Sequence, residues 1–264
     1  MSTRELPAAF YLREGGRFVS TVATTGPWDV RFQHGSPPVA LLARELMRVA
    51  PREDVRLANI SMDFLGPVPV APLEVRAEVV RPGKRVELVQ AIAVADGREV
   101  LRANGWRMSV APGRSPEAGT VEPAPPLPPT SIDTFFEAVP HFGYGDALEW
   151  RFDHGDFKTL GPATVWTRPR IPLIAGEPDD TVTRALLMVD SANGISAELD
   201  LRKFSFVPVN LSVDIARAPE KGEWTGMSAS TRISADGTGA TVARLFDVRG
   251  TFGYAMQALF VGPR

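Results

Sequence analysis

The sequence predicts an α+β protein built from two copies of one unit, each a helix followed by a meander of antiparallel strands. A proline-rich segment divides the 264 residues into two parts of similar size, and each part has one apolar helical run before several strand-like segments. A shift of 151 positions places ISMDF (60–64) on LSVDI (211–215) and Asp96 on Asp247. Because identity over this window is low, the repeat is inferred from the order of the elements.

The dividing segment is residues 111–130, in which seven of 20 residues are proline. Such a composition resists helix and interior strand and behaves as a semi-rigid, extended connector. We therefore expect an N-terminal unit at 1–110, a linker at 111–130 and a C-terminal unit at 131–264.

In the first unit, PPVALLARELMRV (37–49) places Leu42, Leu46 and Val49 at helical spacing. Pro37 and Pro38 suit the first turn of a helix, where their missing N–H would have no partner. The alternation in LEVRAEVV predicts a half-buried antiparallel strand. The predicted strands are 60–64, 73–80, 85–94 and 99–110, with a hairpin turn at 95–98.

In the second unit, the helical run is TVTRALLMVDSANGIS (181–196). The predicted strands that follow are 210–217, 224–234, 238–248 and 253–261, with turns at 235–238 and 248–251. Each helix would be wrapped by its strands, and the two units would join their sheet edges, which removes exposed edges. The junction between the units would then be the natural ligand cleft.

Composition excludes several classes of protein. Apolar residues make up 44% and charged residues 23% of the chain, as in soluble proteins with a real core. A net charge of −2 gives no electrostatic reason to expect nucleic acid or an anionic membrane as partner. The chain has no cysteine, which excludes disulfides, a thiol nucleophile and thiolate metal sites. With no signal-peptide layout and no apolar stretch of membrane-spanning length, we expect a cytoplasmic protein.

Several segments, in this order and spacing, carry a resemblance to a known family. They are HGSPPVALLARE, FLGPVPVAPLEVRAEVVRPGKRVELVQAIAVADGREV, MVDSANGIS, VNLSVDIARAPEKGEW and YAMQALFV. Together they resemble the acyl-CoA thioesterase-like family with the double hot-dog fold, of the bacterial type II kind. The resemblance implies two hot-dog units side by side, each a long helix wrapped by a curved antiparallel sheet. It also implies hydrolysis of acyl-CoA by water, with no metal, cofactor or covalent nucleophile, and it leaves a homo-oligomer open.

In that family an Asp, a Thr or Ser and a Gln hold the attacking water. Asp190 in MVDSANGIS matches the aspartate, and Gln257 in YAMQALFV matches the glutamine. The position of the hydroxyl falls near Pro208, which is a departure from the family pattern. Asn210 and Ser212 are the nearest polar substitutes, although neither is in the matching place.

Asp190 follows the apolar run ALLMV, so a buried helical position is expected, and burial would raise the pKa of its carboxyl toward that of a general base. The alternative is a capping or hydrogen-bonded core aspartate beside Ser191 and Asn193. Gln257 lies on an otherwise apolar strand, where an amide can orient a water, although it could also face outward. Asn193 is a further candidate for contact with the substrate.

His34 and Gly35 precede the first helix directly. Backbone amides at such a terminus can approach a ligand oxygen closely and favour developing negative charge, so both residues are candidate substrate-binding residues. His34 could instead cap the helix or pack on Trp28. Asp29, five residues before His34, gives the Asp-x4-His spacing of hot-dog enoyl-CoA hydratases.

Other hydrolase chemistry has little support in the sequence. No G-x-S-x-G element is present, and His141 and His154 are too sparse for a metal site. The expected function is therefore hydrolysis of fatty or related acyl-CoA by a water held between Asp190 and Gln257. The alternatives are a noncatalytic acyl-CoA-binding protein, favoured by Pro208, and a hydratase-like enzyme.

Overall fold

The computed structural model of the chain describes residues 5–137 and 139–264. Its helices are α1 (Ser36–Arg48), α2 (Gly143–Asp146), α3 (Thr181–Val189) and α4 (Ala192–Ile195), with a 3-10 turn at Val22–Thr24. The strands of the first half are β1 (Tyr11–Glu14), β2 (Arg17–Ser20), β3 (Val55–Phe64), β4 (Pro72–Arg81), β5 (Val86–Ala95) and β6 (Arg98–Ser109). Those of the second half are β7 (Leu148–His154), β8 (Ala163–Pro169), β9 (Phe204–Pro208), β10 (Asn210–Ile215), β11 (Thr225–Ile233), β12 (Thr238–Asp247) and β13 (Gly250–Pro263).

The 13 strands of the described residues form one antiparallel sheet, in the order β1-β2-β4-β5-β6-β3-β10-β13-β12-β11-β8-β7, with β9 paired to β13. The first half follows the order β1-β2-β4-β5-β6-β3. The second half, taken from its own outer edge, follows β7-β8-β11-β12-β13-β10, which is the same order with a helix after its second strand. The predicted α+β architecture with antiparallel meanders is confirmed at this level.

The two halves meet where β3 pairs with β10, at the middle of the sheet. Ser61 lies opposite Ser212 in that pair. These are also equivalent residues in the sequence repeat, because 212 minus 61 is the shift of 151. A pair of equivalent residues facing each other across antiparallel strands marks an approximate two-fold axis.

The helices cover the inner face of the sheet. Helix α1 packs on β3 to β6, α3 packs on β8 and β11, and the two helices contact each other. Most apolar side chains of both halves merge into one buried core, and a smaller cluster surrounds Phe206. The amino end of α1 and the carboxyl end of α3 are thereby brought together on the inner side.

The structure differs from the predicted elements in three ways. Strand β9, which pairs with β13, was not predicted. The run 181–196 is not one helix: α3 ends at Val189, Asp190 is its C-cap, and α4 is a separate turn. Each half also has a hairpin before its helix, β1–β2 and β7–β8, that periodicity did not predict. β1 and β2 are short, and burial does not alternate along β7 and β8, so these strands lack a clear period of two.

None of the helices in the described ranges combines the length and the apolar character needed to cross a bilayer.

Candidate active site

Asp190 lies where the carboxyl end of α3 meets the amino end of α1. Its backbone N–H donates to Ser36 Oγ at 3.2 Å, and its side chain is buried. The helix stops here because the backbone turns into α4, and Ser191 N–H donates to the Met188 carbonyl. The junction thus fixes an aspartate against the other half of the molecule.

Gln257 holds the carboxylate directly. Its side chain points to the inner face of β13, and Nε2 donates to Asp190 Oδ1 at 2.9 Å and to the Asp190 carbonyl at 3.3 Å. The alternative, in which the Gln257 side chain faces outward from the sheet, is therefore wrong. The two side chains touch, whereas a shared water would have placed them roughly 5–6 Å apart. Both amide hydrogens serve Asp190, and Oε1 is buried without a partner among the described residues.

The carboxyl group of Asp190 titrates near neutrality. Burial raises its pKa from 3.8 to about 7, against the opposing effect of hydrogen bonds from Gln257 and from the backbone of Gly35. A buried carboxylate without a cationic partner is costly, so the proton is retained to higher pH. At neutral pH this group can accept a proton from water and release it again.

His34 borders the same carboxylate. Its Nδ1 accepts a hydrogen bond from Ser36 N–H at 3.1 Å, so the neutral ring carries its proton on Nε2. Burial lowers the pKa of His34 from 6.5 to about 3, which keeps the ring neutral. The 3.7 Å separation between Nδ1 and Asp190 Oδ2 is consequently not an ion pair at neutral pH.

Gly35 allows the two halves to approach closely. A Cβ at this position would overlap Asp190 Oδ2 and lie 2.7 Å from Cγ and 3.0 Å from Phe64 Cε1. Its φ of −66° is open to any residue, so glycine is required here for space and not for backbone conformation. The carboxylate sits against the first turn of α1, where the helix dipole favours negative charge.

Tyr144 is a residue of the site that the sequence did not predict. Its ring stacks on His34 with 3.8 Å between centroids, and its hydroxyl donates to the Leu187 carbonyl at 2.7 Å. Because the hydroxyl hydrogen of Tyr144 is used in that bond, Ser191 Oγ, at 2.8 Å, donates its own hydrogen to the phenol oxygen. Tyr144 belongs to a four-residue helix with no periodicity, so no sequence signal marked it.

A cavity of about 370 Å³ opens beside these groups. Its wall is mostly apolar and comes from both halves of the chain. The lining residues are Pro27, Trp28, Phe32, Gln33, His34, Gly35, Phe64, Gly66, Pro67, Val68, Phe136, Phe142, Tyr144, Phe157, Asp190, Ser191, Asn193, Gly194, Leu201, Val207, Pro208 and Val209. An apolar cavity with a few converging polar groups is the usual form of a small-molecule site.

The remaining predicted site residues fall into two groups. Asn193 lines the cavity, although its side-chain amide donates to the Phe206 carbonyl at 3.1 Å. Asn210 and Ser212 lie on the outer face of β10, because they alternate with the buried Leu211 and Val213. Asn210 Oδ1 there accepts from the Ala258 backbone at 2.9 Å. The structure does not bring these two residues to the site.

Pro208 and Val209 are part of the cavity wall, and neither supplies a hydroxyl. The hydroxyl groups near the carboxylate come instead from α1 and from the α3–α4 junction, through Ser36 and Ser191. Ser191 lines the cavity directly. The departure seen in the sequence at Pro208 is thus present in the site itself.

Asp29 is engaged away from His34. It is half-buried and pairs with Arg31 at 2.6 Å, and the hydrogen bond from Arg31 lowers the pKa of Asp29 to about 2. The Asp-x4-His spacing therefore does not produce an acid–base pair with His34. In the described ranges, no three His, Asp or Glu side chains gather in a way that could hold a metal ion.

The architecture is shared with solved structures at low sequence identity. A candidate thioesterase II from Thermobifida fusca YX has a TM-score of 0.74 at 19% identity, over 97% of this chain and 96% of that one. A conserved hot-dog protein of unknown function from Alicyclobacillus acidocaldarius has a TM-score of 0.73 at 14% identity, over 95% and 94%. An acyl-CoA thioesterase II from Mycobacterium marinum has a TM-score of 0.66 at 15% identity, over 92% and 96%. These similarities establish a hot-dog fold.

A search of curated proteins by sequence finds no match. Family models do match, and they cover most of the chain. Residues 24–108 match the acyl-CoA thioesterase N-terminal domain, and residues 116–261 match the acyl-CoA thioesterase C-terminal domain. The chain therefore belongs to the acyl-CoA thioesterase family, a family of thioester hydrolases.

Proposed function

We propose that this protein is a double hot-dog enzyme that hydrolyses acyl-CoA, with Asp190 as the general base for the attacking water. The repeated strand order supports two hot-dog units, at 1–110 and 131–264, joined by the segment 111–130. The observation that carries the mechanism is a buried carboxylate with a pKa of about 7 on the wall of an apolar cavity.

In this mechanism the carboxylate of Asp190 takes a proton from water as the water oxygen attacks the thioester carbon. The carbonyl oxygen becomes an oxyanion, and His34, which lines the cavity and carries its proton on Nε2, supplies the neutral donor that stabilises it. Collapse of the tetrahedral intermediate breaks the carbon–sulfur bond. The proton held by Asp190 passes to the departing thiolate, which leaves free acid and CoA.

Gln257 acts in this scheme by positioning the carboxylate. We expect Gln257→Ala to lower kcat roughly tenfold, less than loss of Asp190 itself, since water can partly replace an orienting amide. The Gln257 hydrogen bond lowers the pKa of Asp190, so its loss should also move the midpoint of the kcat–pH profile upward. Gln90→Ala is a matched control, because Gln90 bonds Asn104 on the far face of the sheet. An unchanged midpoint would argue against this role.

The pH dependence follows from the need for an ionised base. Below the Asp190 pKa of about 7 the group is protonated, so kcat should rise about tenfold per pH unit. Above that pKa it should level off. Because burial keeps His34 neutral throughout this range, no second ionisation from His34 is expected above pH 5. Steady-state rates measured between pH 5 and 9 check this, and a flat profile contradicts it.

Pro208 favours a second candidate, a protein of the same fold that binds acyl-CoA without turning it over. The two candidate functions are distinguished by measuring the release of free thiol from acyl-CoA esters of increasing chain length. Binding of the same esters is measured in parallel by calorimetry. Thiol release faster than the spontaneous rate supports the enzyme. Binding without release supports the acyl-CoA-binding protein.

A further inference from the structure

The wall of the cavity beside Asp190 includes both exposed and buried residues. Val207 and Val209 line it and are 36% and 49% exposed. Phe136, Phe142 and Phe157 also line it, and each is 7–8% exposed. A CoA group is large and charged and needs solvent, so we expect it to leave on the side of the two exposed valines. The acyl group is then directed toward the three phenylalanine rings.

These rings form a packed floor. Phe157 lies 5.1 Å from Phe136 and 5.1 Å from Trp150, between ring centroids. Phe135 packs behind them, 4.9 Å from Phe142 and 5.3 Å from Phe157. Most of these rings meet edge to face, and Phe136 stacks on Phe142 with 6.3 Å between centroids, so their rotation is restrained. An acyl chain cannot lengthen in this direction unless the cluster is rebuilt.

The floor is also close to the carboxylate. The site of a Cβ on Gly194 lies 3.8 Å from Phe136 Cζ, so the tip of that ring fills the space beside Gly194. Gly194 is four residues after Asp190, and both residues line the cavity. The whole cavity of about 370 Å³ holds roughly a dozen non-hydrogen atoms at about 30 Å³ each.

From this geometry we infer that the enzyme takes compact, uncharged acyl groups of roughly ten non-hydrogen atoms or fewer, and that Phe136 and Phe157 set this limit. The inference rests on the proposed function for its assay. Asp190 is the one carboxylate among the described residues of the wall, and no Lys or Arg lines it, so a charged acyl terminus has no partner there.

The test compares acetyl-, hexanoyl-, octanoyl-, phenylacetyl- and palmitoyl-CoA. We expect kcat/KM to be highest for the hexanoyl, octanoyl or phenylacetyl ester and at least about tenfold lower for palmitoyl-CoA, the size of effect that unaccommodated methylenes produce. Phe136→Ala and Phe157→Ala should raise the ratio of palmitoyl to hexanoyl kcat/KM. Gly194→Val, which builds into the same space, should lower the ratio of octanoyl to acetyl. Phe260→Ala, exposed on the outer face, is the control that should change neither ratio.

Ratios between substrates are used because a general loss of folding lowers both rates together. If the alanine variants do not fold, Gly194→Val alone decides the point. Binding of S-hexyl- and S-hexadecyl-CoA thioethers compares the two chain lengths without any hydrolysis. If no ester is hydrolysed, that result counts against the proposed function, and the size limit can still be measured by binding. The inference is overturned if palmitoyl-CoA is hydrolysed as well as octanoyl-CoA. It is also overturned if the S-hexadecyl-CoA thioether binds as tightly as the S-hexyl-CoA thioether.

Discussion

Asp190→Asn is expected to lower kcat by about 10²–10⁴ while acyl-CoA binding is largely kept. The amide retains the shape of the side chain, and its oxygen can still accept the hydrogen bond that Gln257 gives to Oδ1. It cannot accept a proton from water at neutral pH. Steady-state hydrolysis of the best acyl-CoA, with the dissociation constant measured by calorimetry, gives both quantities. A variant that matches the wild-type rate would falsify the assigned mechanism.

The Asp190→Asn variant should also change the pH dependence of the free energy of unfolding, which a general loss of folding would not do. In the wild type, burial raises the pKa of Asp190 above its ordinary value of 3.8 to about 7. The folded protein therefore holds a proton that the unfolded chain releases between those values, and stability falls as pH rises from about 4 to 7. The asparagine does not ionise, so the variant should escape this loss and exceed the wild type by up to a few kcal/mol at pH 8. Chemical unfolding at pH 5 and pH 8 checks this.

Gly35→Ala is the second change with a large expected effect. The new methyl group would meet the Asp190 carboxylate and the Phe64 ring, so the carboxylate or α1 must move. A displacement of about 1 Å at a reacting group can cost about 100-fold in rate, and we expect a fall in kcat/KM of that order. Overpacking of this kind should also lower the free energy of unfolding by about 1–3 kcal/mol.

Gly222→Ala provides the matched control, because nothing lies within 4 Å of a Cβ at that position. It should leave both rate and stability close to the wild type. If Gly35→Ala also retains its rate, the approach of α1 to Asp190 does not matter for the chemistry.

The sequence predicted the site residues that lie on strongly patterned elements. The apolar run before Asp190 indicated burial, and the structure places that carboxylate in the core. The predicted first helix, 37–49, agrees with α1 to within a residue at each end, because the two prolines fix its start. Strand alternation could also have excluded Asn210 and Ser212, since Leu211 and Val213 between them are apolar and take the inner face.

The rest of the site depends on contacts between segments far apart in sequence. Tyr144, which stacks on His34, and the phenylalanine floor come from residues 135–157, the region with the least pattern. The direct contact between Asp190 and Gln257 depends on the register of β13 against α3, which no local signal sets. The break of the second helix at Asp190 was hidden because burial continues on both sides of it, through Val189 and through Ser191 and Ala192.

The pairing of β3 with β10 also bears on how the chain reaches its native state. This pair joins residues about 150 positions apart, and the closing of so long a loop is slow compared with hairpin formation. Until it forms, each half presents one unpaired strand edge, that of β3 or of β10, at what will become the centre of the sheet. Isolated halves should consequently associate with themselves or with each other through these edges. In the intact chain the partner is always tethered, so docking is independent of protein concentration.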